Sequence, residues 1–178
     1  MDGPAGSARA DGTGVQQSMS NQHAPLLLTL ERLWQFSLQY YGVKEVKAAC
    51  LSLQNQFNGN VNLLLLFKWL DEQQLSFDEE EWHKLQSCLG RSETLLHTYR
   101  ELRRQCKQHL PDTLYREALQ FELQLEKQQQ ADLVECINTL ALHPNHTEPL
   151  TQIYCRHLGA AHLYAAFKPP SAPLAKSS

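Results

Sequence analysis

The sequence predicts an all-α fold, a single-domain bundle of about six helices, and three observations carry that reading. Leu27, Leu30, Trp34, Leu38 and Tyr41 recur at the spacing of one helix face, and later segments repeat the period. Val61–Leu70 is apolar nearly all round, and a helix without a polar face is usually the surrounded one. No stretch alternates apolar and polar residues as a half-buried strand does, and no internal repeat stands out. The other helices are therefore expected to lie around Val61–Leu70.

Residues 1–24 are Gly, Ala, Ser, Asp and Gln with almost nothing to bury, and they read as a disordered leader. Met19, followed by SNQHAPLLL, is a candidate start within it. The helical domain is expected over 25–167. The first helix follows Pro25 and runs to Gly42; the second carries Val43, Val46, Cys50, Leu53 and Phe57 on one side. Asn58-Gly59 is a helix stop and turn, and the Asn60 side-chain oxygen can accept from a free N–H at the start of the third helix. Ser76-Phe77-Asp78-Glu79 has the form of a capping box, which predicts a short fourth helix over Phe77–Leu89, ended by Gly90. Ser92 then caps a fifth helix with the stripe Leu95, Tyr99, Leu102, Cys106 and Leu110, stopped by Pro111. Asp112 or Thr113 caps the longest helix, to about Leu142, with the stripe Leu114, Ala118, Phe121 and Leu125, then Leu133, Cys136, Ile137 and Leu140. Its middle, Glu126 to Gln130, is polar all round, so the helix is expected to project or bend there. Thr147 caps a last helix, Glu148 to about Phe167, and the Pro-, Ser- and Ala-rich residues 168–178 read as a disordered tail.

A chain of 178 residues with 42% hydrophobic and 20% charged residues can build one real core. A net charge of −3 does not suit a general nucleic-acid binder. The five cysteines are widely spaced, odd in number and without a CxxC pair, which points to reduced and mostly buried thiols, with Cys50, Cys106 and Cys136 at apolar positions. The N-terminus lacks the basic region, apolar core and cleavage site of a secretory signal. The apolar run Leu63–Phe67 is far short of the roughly 20 residues that span a bilayer. A cytoplasmic location is expected.

The stretch LWQFSLQYYGVKEVKAACLSLQNQFNGNVNLLLLFKWL, from Leu33 to Leu70, resembles the signature of a family of small proteobacterial hypothetical proteins, a domain of unknown function. The matching positions are Leu33, Trp34, Phe36, Ser37, Leu38, Tyr41, Gly42, Val43, Ala49, Cys50, Leu51, Leu53, Gln54, Gly59, Val61, Asn62, Leu64, Leu65 and Trp69. The later YREALQFELQLEK is similar to the family's second block, so the resemblance covers roughly Leu30 to Leu140. It implies no activity and no catalytic residue. At Asn60 the family usually has Asp; both residue types cap a helix, so that role survives the difference.

Four constellations have competing readings. Gln54, Asn55, Asn58, Asn60 and Asn62 are amides beside apolar residues, able to read a ligand by hydrogen bonds or simply to tie helix ends together. Gln54 and Asn62 are the candidates for binding, because neither is needed as the first cap. Glu122 and Glu126 stand i,i+4; Glu122 borders an apolar stripe, and a half-buried carboxylate needs a partner, for which Arg103 is placed. His143, His146, Cys155, His157 and His162 offer nitrogen and sulfur, but C-x-H along a helix points its members different ways, so no metal is expected. Arg100, Arg103, Arg104 and Lys107 form a basic patch without interleaved aromatics, the usual look of a solvated helix face.

The reading is therefore a non-enzymatic binding or adaptor protein of the bacterial cytoplasm, with another protein as the expected partner and no catalytic residue, metal or cofactor. The expected binding residues are Trp34, Gln54, Asn62 and Glu122. One alternative is an enzyme or small-molecule binder with a pocket near Gln54 and Asn62, which a deep pocket would favour over a flat apolar patch. The other is a nucleic-acid-associated regulator acting through Arg100–Lys107.

Overall fold

The computed structural model describes residues 27–169, so the expected leader, and the tail from residue 170, lie outside the described residues. The elements in order are α1 Leu30–Tyr41, α2 Lys44–Gln56, α3 Val61–Glu72, β1 Leu75–Ser76, α4 Trp82–Cys106, α5 Asp112–Ile137, β2 His143–Pro144, α6 Leu150–His157 and α7 Tyr164–Phe167. The fold is a helical bundle. Its only sheet among the described residues is a two-residue antiparallel bridge, Leu75 opposite Pro144 and Ser76 opposite His143.

Helix α3 lies at the centre. Every residue from Asn62 to Leu70 is buried, including Leu64, Leu66, Phe67 and Leu70 at 0% exposure. The expected cap is present: the Leu63 N–H donates to Asn60 Oδ1 at 2.9 Å. The turn before it needs its residue types. Asn58 takes a left-handed backbone, φ 56°. A Cβ on Gly59 would come within 2.7 Å of Leu53 and 2.8 Å of Leu158, so the side chains of two other elements occupy that space.

Several expected boundaries move, each for a physical reason. Helices four and five are one 25-residue helix, α4. Gly90 does not break it, at a propensity cost of about 1 kcal/mol, because α4 is braced along its length by antiparallel α5; Ser92 is interior, its hydroxyl directed to the Leu89 carbonyl at 3.3 Å. The capping box does not operate: Ser76 is taken into the bridge, and Glu79–Glu81 form a 3-10 turn ahead of α4. Helix α5 stops at Ile137, short of Leu142. The last helix is divided, because Gly159 takes φ 75° and closes α6, with Ala160 N–H donating to the Cys155 carbonyl at 2.8 Å in the Schellman manner. Seven α-helices therefore stand among the described residues, where about six were expected.

The start of α6 is not capped by Thr147. Asp71, from the last turn of α3, reaches across instead: its carboxylate accepts from Leu150 N–H (2.7 Å), Thr151 N–H (3.1 Å) and the Thr151 hydroxyl (2.6 Å). A carboxylate at a helix N-terminus meets both free donors and the positive end of the helix dipole. Nearby, Lys68 is buried and donates from Nζ to the Phe167 carbonyl at 2.8 Å, which ties α7 to the central helix.

Three expected stripes do not coincide with the core. In α1 the buried residues are Leu33 and Ser37, while Leu38 is 51% exposed. In the α4–α5 hairpin, Leu95, Leu102, Leu114 and Phe121 are exposed and Leu96 is buried in place of Leu95, whereas the second half of the α5 stripe, Leu133, Cys136 and Ile137, is buried as expected. The expected projection or bend at Glu126–Gln130 is absent: α5 is continuous, and Gln129 and Gln130 are each 1% exposed. Cys50, Cys136 and Cys155 are buried and Cys88 and Cys106 half-buried; all five thiols are free. Among the described residues no helix is long and apolar enough to cross a membrane.

Candidate functional site

The displaced stripe of α1 explains itself in a polar cleft. Trp34, Leu38 and Tyr41 leave the core and form the wall of a cavity of about 610 Å³. Val61, Asn62 and Leu65 of α3 contribute its floor, with Gln129 and Gln130 of α5; Gln54, Asn58 and Asn60 close one end. Glu93, Thr94, His97 and Arg100 of α4 form the opposite rim.

The floor is a network of side-chain amides. Gln129 Oε1 accepts from Asn62 Nδ2 at 2.9 Å and from Asn60 Nδ2 at 3.1 Å. Asn62 Nδ2 also donates to the Glu126 carbonyl at 3.2 Å, and Asn62 Oδ1 accepts from Gln130 Nε2 at 3.1 Å. Gln130 Nε2 donates as well to Ser37 Oγ at 2.9 Å, and Gln129 Nε2 donates to Ser92 Oγ at 2.9 Å. Backbone groups set the direction of every amide. Leu63 N–H must donate, so the atom it meets is Asn60 Oδ1; the Glu126 carbonyl must accept, so it meets Asn62 Nδ2; and Ser37 Oγ gives its proton to the Leu33 carbonyl at 2.7 Å, so it accepts from Gln130. Such a network draws its partners from four helices, and of its amide atoms Gln130 Oε1 is left without one in the protein.

Charge is handled beside the floor. Arg103 Nη2 donates to both oxygens of Glu122, at 3.0 and 3.1 Å. Arg100 Nη2 donates to Glu126 at 3.2 Å, and its Nε lies 3.6 Å from Glu122. Burial pushes the Glu126 carboxyl above its usual range, against the pull of Arg100. Burial also raises the Tyr41 hydroxyl. The positive charges of the basic patch are thus partly turned inward; Arg104 and Lys107 remain exposed.

Of the four residues singled out from sequence, Trp34, Gln54 and Asn62 line the cleft, and Glu122 sits behind it in the Arg103 pair. Ser37, Gln129 and Gln130 were not singled out. A signal for the two glutamines existed: extending the buried Leu133–Cys136–Ile137 stripe of α5 backward by helical steps passes through 130, 129, 126 and 122. Polarity disguised the continuity of the face. Among the described residues no group of three or more His, Cys, Asp or Glu could hold a metal ion; His143 faces Asp78 at 3.2 Å and His157 packs on Trp82.

A second cavity, of about 680 Å³, lies between α1, α2, α3 and the C-terminal elements, next to Tyr40, Lys68 and Asp71. Its polar groups already serve the fold, through the Lys68–Phe167 and Asp71–α6 contacts.

Residues 32–133, more than half of the chain and every residue named around the cleft, match a family model described as "Protein of unknown function (DUF2390)". No curated protein matches, and no solved structure does.

Proposed function

The chain belongs to the DUF2390 family of proteins of unknown function, and from its cleft we infer a non-enzymatic binding protein whose recognition site is the amide floor under Trp34 and Tyr41. The observation that carries this reading is the network Asn60–Gln129–Asn62–Gln130–Ser37, oriented by backbone groups at the base of a 610 Å³ cavity. A few fixed polar groups beneath an apolar wall are the make-up of a ligand site, and pre-organisation lowers the ordering cost of binding. The lining supports binding more than catalysis: the Ser37 hydroxyl gives its proton to a backbone carbonyl instead of to a base, and no cysteine lines the cavity. Five free thiols, three of them buried, support a reducing compartment such as the bacterial cytoplasm.

A screen of small-molecule fragments against the ¹⁵N-labelled full chain tests this. Hits are expected to shift the Trp34 indole and the Asn62 side-chain amide together. Hits that leave both unmoved while perturbing other surfaces would overturn the cleft as the recognition site.

A second reading, an adaptor that docks another protein, has one observation in its favour. Leu95, Leu102, Leu114 and Phe121 are 48–70% exposed on the α4–α5 hairpin. Binding of nucleic acid through Arg100–Lys107 is weakened as a proposal, because Arg100 and Arg103 are paired with Glu126 and Glu122.

A further inference from the structure

The α4–α5 hairpin carries an apolar seam that the bundle leaves open. On α4, Leu95 and Leu102 stand seven residues apart, and on α5 so do Leu114 and Phe121. All four are exposed, Leu95 at 70%. Half-buried Tyr99, Ala118 and Leu125 fill the seam between them, and the Tyr99 ring packs edge-on against Phe121 at 5.5 Å. Seven-residue apolar spacing is the pattern by which one helix buries a face against others. The seam lies away from the cleft. Glu93, His97 and Arg100 line the cleft, and at about 100° per residue Leu95 and Leu102 fall on the opposite side of α4.

The charges that border the seam differ between the two helices. Along α4 they are basic, Lys84 and Arg91; along α5 they are acidic, Glu117, Asp132 and Glu135. Arg91, Glu117 and Glu135 are exposed and Asp132 is half-buried, while Lys84 also meets Glu81 one turn earlier at 2.7 Å. Two contacts set the register of the hairpin: Gln129 Nε2 donates to Ser92 Oγ at 2.9 Å, and Cys136 Sγ lies 3.7 Å from the Lys84 carbonyl. Leu95 therefore stands level with Leu125, Leu102 with Ala118, Lys84 with Glu135, and Arg91 within a turn of Asp132. One face thus carries both halves of a complementary pair, a basic border and an acidic one at matching heights.

We propose that this face binds a second copy of the chain, and that the two α4–α5 hairpins form an antiparallel four-helix bundle about a two-fold axis parallel to the helices. Such an axis keeps every residue at its own level and lays α4 on the α5 of the partner. Leu95 then meets the partner's Leu125, Leu102 meets the partner's Ala118, and Arg91 meets the partner's Asp132, each contact made twice. Neighbouring helices are all antiparallel, the up-down arrangement of four-helix bundles. A two-fold axis across the helices would instead lay α4 on α4, basic border on basic border, which like-charge repulsion opposes. The face is large enough: Lys84 to Cys106 is about 33 Å of helix and the face is two helices wide, the scale of the roughly 800 Å² that each partner gives to a standard interface.

Sedimentation equilibrium of the full chain tests this. At about 100 μM, where a Kd of about 10 μM already gives mostly dimer, the mass should be twice that of the monomer. Leu95→Glu and Leu102→Glu alter exposed positions, so each should keep the helical circular-dichroism spectrum and raise the Kd at least about tenfold. If one of the two misfolds, the other decides. Arg91→Glu and Asp132→Lys should each weaken self-association at least about threefold, since each sets like charges against one another at two symmetric places. An equimolar mixture of these two variants should recover the lost affinity as a mixed dimer, because each copy then offers the opposite charge to the other. A wild-type chain that sediments as a monomer at this concentration overturns the proposal, whatever other protein the face holds. A dimer that both leucine variants leave intact overturns this face as its interface. A dimer that the leucine variants break, but whose charge variants do not rescue one another, overturns the pairing of α4 with α5.

Discussion

Asn62 of the central helix and Gln130 of α5 are joined amide to amide, Gln130 Nε2 to Asn62 Oδ1 at 3.1 Å, across 68 residues of sequence. Through this contact the floor of the cleft and the interior of the bundle become one structure. Asn62 also donates to Gln129 Oε1 and to the Glu126 carbonyl, so its partners all lie within the protein. Asn62→Ala should therefore destabilise the fold by about 1–3 kcal/mol, the cost of stranding buried amide groups. Urea denaturation of the variant measures it; an unchanged midpoint would mean that the network contributes nothing to stability.

Leu64 and Leu65 are adjacent on α3 but have different surroundings. Leu64 is fully enclosed, whereas Leu65 is 4% exposed and borders the cleft. Leu64→Ala should cost about 2–5 kcal/mol. Leu65→Ala should fall at or below the low end of that range, because it enlarges an existing cavity that water can enter. Paired denaturation curves give the comparison, and the reverse order would show that the cleft wall packs more tightly than the core.

Asp71 caps α6 through three hydrogen bonds. Burial pushes its carboxyl up, and the Thr151 and Leu150 hydrogen bonds pull it back. Asp71→Ala should cost about 1–3 kcal/mol. Hydrogen exchange should locate the loss: the amides of Leu150 and Thr151 should speed up far more than those of α4.

The buried thiols and phenols set an alkaline limit. Burial pushes Cys50 from an ordinary 9.0 to about 12, Cys155 from 9.0 to about 11 and Tyr154 from 10.0 to about 12. In the unfolded chain these groups give up their protons at their ordinary values, while the folded chain retains them. Their contribution to stability is whole below about pH 9 and is lost as the pH rises through the folded-state values. Urea midpoints should hold level up to about pH 8 and then decline steadily. Replacing Cys50 with Ala should make that decline shallower; an unaltered slope would show that the thiol is not a source of it.

The sequence by itself determined the helical class, the central place of α3, the Asn60 cap and the Asn58-Gly59 turn. Each of these is local or nearly so: an apolar helix has to be surrounded, and a cap lies within three residues of the N–H it serves. The family membership was legible too, since it rests on the order of residues from Leu33 onward. Tertiary structure decided what local patterns leave open. Gly90 became helix interior because α5 braces α4, and Asp71 displaced Thr147 as the cap of α6 from 79 residues away. The apolar stripe of α1 was visible in the sequence, but only the bundle shows that Trp34, Leu38 and Tyr41 face a cleft, while Leu33 and Ser37 face the core. Gln129 and Gln130 looked like solvent-facing residues. They are buried because Asn60, Asn62, Ser37 and Ser92 supply the partners that make a polar interior affordable, and hydrogen-bond partners contributed by three other helices exist only after the chain has folded.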